Sequence, residues 1–146
     1  MKTIELNFEG YKTSREYLPD YHGIYFVYRV SDIHDNPRGG LLGTIEELMY
    51  IGKADKQTIK QRHTNHEKQP QFDAALLNGE SLWYLTAEVS LADIDRVENG
   101  LIFKRQPRLN DVLTESFKHP DTHFILKSDK NIADMFTDFQ LKTYDK

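Results

Sequence analysis

The chain has 146 residues, of which 38% are hydrophobic, 29% are charged and none is cysteine, and its formal net charge is −4. Length and hydrophobic share fit a single domain with a modest core. The missing thiols exclude a disulfide framework, thiolate-ligated zinc, iron–sulfur clusters and cysteine nucleophiles, and they suit a reducing compartment.

No apolar run reaches the roughly 18 residues of a membrane helix. The opening MKTIELNFEG lacks the apolar core of a secretion signal. The expectation is a cytoplasmic protein with no membrane partner.

Alternation over residues 3–8 puts Ile4, Leu6 and Phe8 on one face and predicts a first strand. Tyr11 to Asp20 has no clear period and predicts only a short helix ending before Pro19. GIYFVYRV, Gly23 to Val30, is aromatic and β-branched, a strand signal. SDIHDNPRGGLLG follows and predicts a loop turning at Asn36-Pro37 and Gly39-Gly40. ELMYIG, Glu47 to Gly52, predicts the return strand, antiparallel because no helix intervenes. Asp55 to Glu67 is polar and predicts a helix, and Phe72 to Leu77 predicts a short one stopped by Asn78-Gly79. SLWYLTAEV, Ser81 to Val89, predicts another strand. A helix is then expected from Ser90, with Asp93 in a capping-box variant, to Arg105 before Pro107. His123–Lys127 predicts a strand, and Ile132–Leu141 an amphipathic segment. Together these elements predict a mixed α/β domain with a small, mostly antiparallel sheet flanked by helices.

The net charge argues against a nucleic-acid binder, but its distribution does not. From Gly52 to Lys68 there are five cations (Lys53, Lys56, Lys60, Arg62, Lys68) against two anions, a balance of +3. Lys104, Arg105 and Arg108 add +3 between Lys104 and Asn110, while residues 69–103 carry −5. Two basic segments on an acidic body suit local phosphate binding, or they are two solvated faces.

In the expected 90–105 helix, Leu91, Ile94, Val97, Leu101 and Ile102 form an apolar stripe at about 100° per residue. Glu98 lies inside that stripe. A carboxylate there reaches solvent, pairs with an arginine, takes a proton, or holds a cation such as Mg²⁺ that accepts few protein oxygens. On the polar second helix, Arg62 and His66 share a face at i and i+4. Arg62 suits a phosphate and His66 suits proton or hydrogen-bond work, unless both are ordinary surface residues.

Gly23-Ile24-Tyr25 and Tyr50-Ile51-Gly52, then Arg62 with His66 four residues on, then Glu98-Asn99-Gly100-Leu101-Ile102 through Pro107 to Asn110, form one ordered series. The series resembles the GIY-YIG nuclease superfamily over residues 21–113. Residues 1–20 and 114–146 are then extensions of a single domain spanning 1–146. The loop between Tyr25 and Tyr50 is longer than in many members. The resemblance implies a GIY-YIG-like α/β (α+β) fold around a small three-stranded antiparallel sheet flanked by helices. It also implies a metal-dependent endonuclease acting on DNA, with RNA left open.

The implied site has Glu98 holding Mg²⁺ or Mn²⁺, Arg62 on the scissile phosphate and Tyr25 as general base, its pKa lowered by Lys53 and Arg62. Tyr50 relays the proton or positions water, and His66 orients one of these groups. His63 and His22 are weaker candidates. Lys53, Lys56, Lys60, Arg62, Lys104, Arg105 and Arg108 are the expected nucleic-acid contacts. Gly23, Gly52 and Asn110 are expected to shape the site. A homo-oligomer or a partner protein would bring the substrate. The alternative is a catalytically inactive nucleic-acid-binding or protein-interaction module on the same fold.

Overall fold

The computed structural model describes residues 1–128 and 138–146. Among them are the strands β1 (Lys2–Phe8), β2 (Gly23–Asp35), β3 (Leu41–Ala54), β4 (Ser81–Glu88), β5 (Thr122–Ser128) and β6 (Asp138–Leu141). The helices are α1 (Ile59–Thr64), α2 (Gln69–Ala75) and α3 (Ile94–Arg105), with a 3₁₀ turn at Arg15–Tyr17. The strands form one sheet in the order β3-β2-β4-β1-β5-β6.

This corrects the expected three-stranded sheet flanked by helices. The antiparallel trio β3-β2-β4 is present, but it is half of a curled, mixed, six-stranded sheet. β1 joins β4 antiparallel and runs parallel to β5 along its whole length, Lys2↔Thr122 to Phe8↔Ser128. A parallel pair so far apart in sequence leaves no hairpin turn to read. Both terminal extensions are therefore part of the sheet.

Alternation along β2 feeds two cores. Ile24, Phe26, Tyr28 and Val30 face Ile94, Val97, Leu101 and Ile102 of α3, with Leu6 of β1 and Phe124 of β5. Tyr25 and Val27 face Ile59 of α1 and Phe72 of α2. Gly100 lets α3 lie against β5, since a Cβ there would stand 2.5 Å from the Phe124 ring.

Several boundaries differ from expectation. α3 starts at Ile94 rather than Ser90: the Ser90 hydroxyl donates to the Asp93 carboxylate at 3.3 Å, and Leu91 is exposed outside the apolar stripe. α1 is fixed by a capping box between Thr58 and Gln61 and stops at Asn65, so His66 lies beyond the helix that was expected to carry it. The expected 31–43 loop is mostly strand. β2 and β3 stay paired to Asp35↔Leu41 and reverse at Asn36–Gly40, where Gly39 and Gly40 take φ of 103° and 75°. β4 ends opposite Val30, so the tip of this hairpin projects past it. Of the Ile132–Leu141 segment, residues 132–137 lie outside the described residues, and the rest is β6. Among the described residues no helix is long and apolar enough to cross a membrane.

Candidate active site

Tyr25 on β2 pairs with Gly52 on β3. A Cβ at Gly52 would lie 2.4 Å from the Tyr25 hydroxyl oxygen, so the missing side chain is what lets the phenol cross β3. Gly23 meets the same limit, with Ala87 O of β4 only 2.1 Å from a would-be Cβ. Tyr50, two residues before Gly52, puts its ring centroid 6.3 Å from that of Tyr25. Asn110 fixes this stretch of edge strand: Ile51 N–H donates to its Oδ1 at 3.0 Å, and its Nδ2 donates to Ile51 O at 2.9 Å.

His66 joins the two tyrosines from the turn after α1. The Lys68 backbone N–H donates to His66 Nδ1 at 3.0 Å, so that nitrogen carries no proton. In the neutral ring the proton sits on Nε2, which donates to the Tyr25 hydroxyl oxygen at 2.7 Å. Burial, then the charge of Arg62, lower the His66 pKa to about 4 and keep the ring neutral near pH 7. His63 is buried behind this pair, with ring centroids 4.3 Å from Tyr25 and 4.9 Å from His66. Its pKa falls to about 3, chiefly by burial, and among the described residues neither ring nitrogen has a hydrogen-bond partner.

Glu98 approaches from α3. Burial raises its pKa to about 7; Lys53 and Arg62 oppose the shift and Asp95 and Asp55 add to it. Burial and then the Glu98 charge push Tyr50 to about 12, with Arg62 pulling it down. Tyr25 is held well above the usual phenol range by burial, by Tyr50 and by Glu98, again opposed by Arg62. Tyr25, Tyr50, Arg62 and Glu98 thus share one electrostatic field, although they come from four elements.

The expected lowering of the Tyr25 pKa is corrected. Burial outweighs Arg62, and the Lys53 ammonium is engaged by Asp55, at 3.2 Å, and by Asp95. Arg62 itself donates to Glu67 at 2.7 Å. That hydrogen bond, followed by a backbone one, lowers the Glu67 pKa to about 2. Lys53, Asp55, Lys56 and Arg62 line a cavity of about 260 Å³.

Among the expected nucleic-acid contacts, Lys56 and Lys60 form no ion pair within the described residues. The second basic segment diverges. Lys104 stands over the Phe139 ring of β6 at 5.6 Å, Arg105 ends α3, and Arg108 grips Glu47 of β3 with two bonds of 2.9 and 3.0 Å.

Glu67 and Lys68 entered the sequence analysis only as charges of the first basic segment, not as site residues. Each acts from the turn after α1, where no period applies; Lys68 also stands 6.0 Å over the Tyr50 ring and donates to Leu109 O at 3.4 Å. His63 had a signal, for it shares a helix face with buried Ile59 at i, i+4.

Among the described residues no three His, Cys, Asp or Glu side chains gather as a metal-binding group. A cation here would rest on Glu98 alone, with water completing its shell, a donor set that fits Mg²⁺ or Mn²⁺. Among the described residues the half-buried Glu98 carboxylate has no hydrogen-bond or ion-pair partner, which leaves its oxygens open to a cation. No protein-family model, curated protein or solved structure matches the chain.

Proposed function

We propose that the protein is a metal-dependent endonuclease of the GIY-YIG kind that hydrolyses phosphodiester bonds in DNA. The observation that carries this reading is the common field of Tyr25, Tyr50, Arg62 and Glu98, with Tyr25 hydrogen-bonded to His66. A purely structural core has little use for two tyrosines and a half-buried carboxylate beside an arginine.

Arg62 contacts the scissile phosphate and stabilises its growing negative charge. Tyr25, as phenolate, takes a proton from the attacking water as the new O–P bond forms and the bond to the 3′ oxygen breaks. His66 Nε2–H donates to the phenolate oxygen and so favours the ionised form. Tyr50, less buried, positions the water or relays the proton. A divalent cation at Glu98 would supply Lewis-acid stabilisation of the phosphate and the leaving oxygen.

The second reading, a binding module without chemistry, is favoured by the Arg62–Glu67 pair and by two phenols held protonated. Supercoiled plasmid with Mg²⁺ separates the two. Wild type is expected to nick it and Glu98→Ala to fail. Equal cutting by both indicates a contaminant, and cutting by neither leaves the binding module.

A further inference from the structure

Residues 13–17 wall two cavities of different character. On one side Arg15 faces Lys60, His63 and Thr64 around a cavity of about 530 Å³, with Glu16 adding a carboxylate. Neither Arg15 nor Lys60 has a carboxylate partner among the described residues, and Arg15 donates to His63 O at 3.3 Å. On the other side Tyr17 joins Tyr11, Leu41, Leu42 and Trp83 around a cleft of about 710 Å³ whose described lining carries no charged residue.

The cleft exists because the β2–β3 hairpin runs past the end of β4 and overhangs Tyr11. The Tyr11 ring in turn packs on Tyr28 and Trp83, with centroids 5.4 and 5.8 Å away. Tyr17, Leu41 and Leu42 remain 60%, 41% and 44% exposed. Three large apolar side chains left open around one uncharged cleft mark a binding surface rather than chance exposure.

A ligand spanning that wall must be anionic at one end and flat and apolar at the other. A nucleotide is built that way. Its base must be unpaired, because a base held in a duplex cannot turn into a cleft. We propose that the paired cavities take one unpaired nucleotide, its phosphate between Arg15 and Lys60 and its base among Tyr11, Tyr17 and Trp83. The proposal rests on the nuclease reading and deepens it. Lys60 and Arg62 stand two residues apart on the same short helix, each lining its own cavity, so one bound chain can engage both only by rounding that helix. The substrate is then DNA with a single-stranded extension.

Trp83 is the chain's single tryptophan, so its emission reports on the cleft in the unaltered protein. Metal-free protein is titrated with a short dT strand, an abasic sugar-phosphate strand of equal length and a blunt duplex. The dT strand is expected to change the emission saturably, and the other two to leave it flat. Arg15→Ala with Lys60→Ala should weaken dT binding and lower the log–log salt slope by about 0.7, one phosphate. Tyr17→Ala, an exposed position, should weaken it about tenfold without a change in salt slope.

An equal response to the abasic strand, or duplex binding as tight as dT binding, overturns the proposal. So does a response to an apolar peptide with none to dT, which assigns the cleft to a protein partner. Loss of plasmid cutting with the dT response intact removes the nuclease reading alone. Cutting without a dT response removes the nucleotide site alone.

Discussion

Glu67 Oε1 lies 2.7 Å from Arg62 Nη2, where the proposed mechanism needs a phosphate oxygen. The carboxylate is 69% exposed and Arg62 only 18%, so the acid is the partner free to leave. Exposed pairs are worth at most about 1 kcal/mol, little enough for a phosphate to displace. Glu67→Gln is therefore expected to tighten DNA binding about threefold to fivefold, within that 1 kcal/mol, and to lower KM with kcat kept. Fluorescence anisotropy and initial rates check it. Weaker binding by the variant would mean that Glu67 orients Arg62 instead of competing for it.

Glu98 links the candidate cation site to stability. Its pKa rises on folding from 4.5 to about 7, so the fold prefers the protonated acid. The stability this gives is complete below the unfolded value and is lost as pH climbs through the folded one. Glu98→Gln keeps the shape without the charge. It should melt several degrees above wild type at about pH 8, roughly 1–3 kcal/mol, and close to wild type at about pH 4.5. Mg²⁺ should raise the wild-type melting temperature at the higher pH and leave the variant unmoved. Thermal melts at both pH values test this, and a variant less stable than wild type at high pH contradicts the burial account.

Local pattern revealed what local pattern controls. The alternation of Ile4, Leu6 and Phe8, the aromatic run of β2 and the Ile94–Ile102 stripe each match the burial found. The β1–β5 ladder was invisible because its partners meet only in the folded chain. Site legibility divides the same way. Arg62 and Glu98 stood out by residue type and spacing, whereas Glu67 and Lys68 act from an aperiodic turn. The His66 tautomer depends on a backbone N–H two residues away, a relation that spacing does not encode. The expected fall in the Tyr25 pKa failed because sequence gives the sign of a neighbour's charge and not the depth of burial.

Tyr25 must ionise to act as a base, and its pKa lies well above 10. Cleavage should therefore rise about tenfold per pH unit from about pH 8 to pH 9, above the Glu98 titration, with no plateau. Tyr25→Phe should lower the rate by about 10² or more and abolish that slope. It also strands the His66 Nε2–H, at a cost of about 1–3 kcal/mol. Tyr50→Phe should keep the slope. A rate flat across this range, or a sloping profile in Tyr25→Phe, assigns the base elsewhere.

Gly52 tests whether the position of Tyr25 is what matters. An added Cβ would lie 2.4 Å from its hydroxyl oxygen and 2.5 Å from Cζ, so the ring must move. It has little room, with the His63 ring 4.3 Å away and the hydroxyl tied to His66. Gly52→Ala should cost about 1–3 kcal/mol by overpacking, and cleavage should fall far more than the residual folded fraction explains. Gly43→Ala is the matched control, crowding Val30 Cγ1 at 2.7 Å in the projecting hairpin. It should lose comparable stability and still cut plasmid. Equal rates for the two variants, measured well below both melting temperatures, would show that cleavage does not depend on the placement of the Tyr25 phenol, and the base assignment would fall with it.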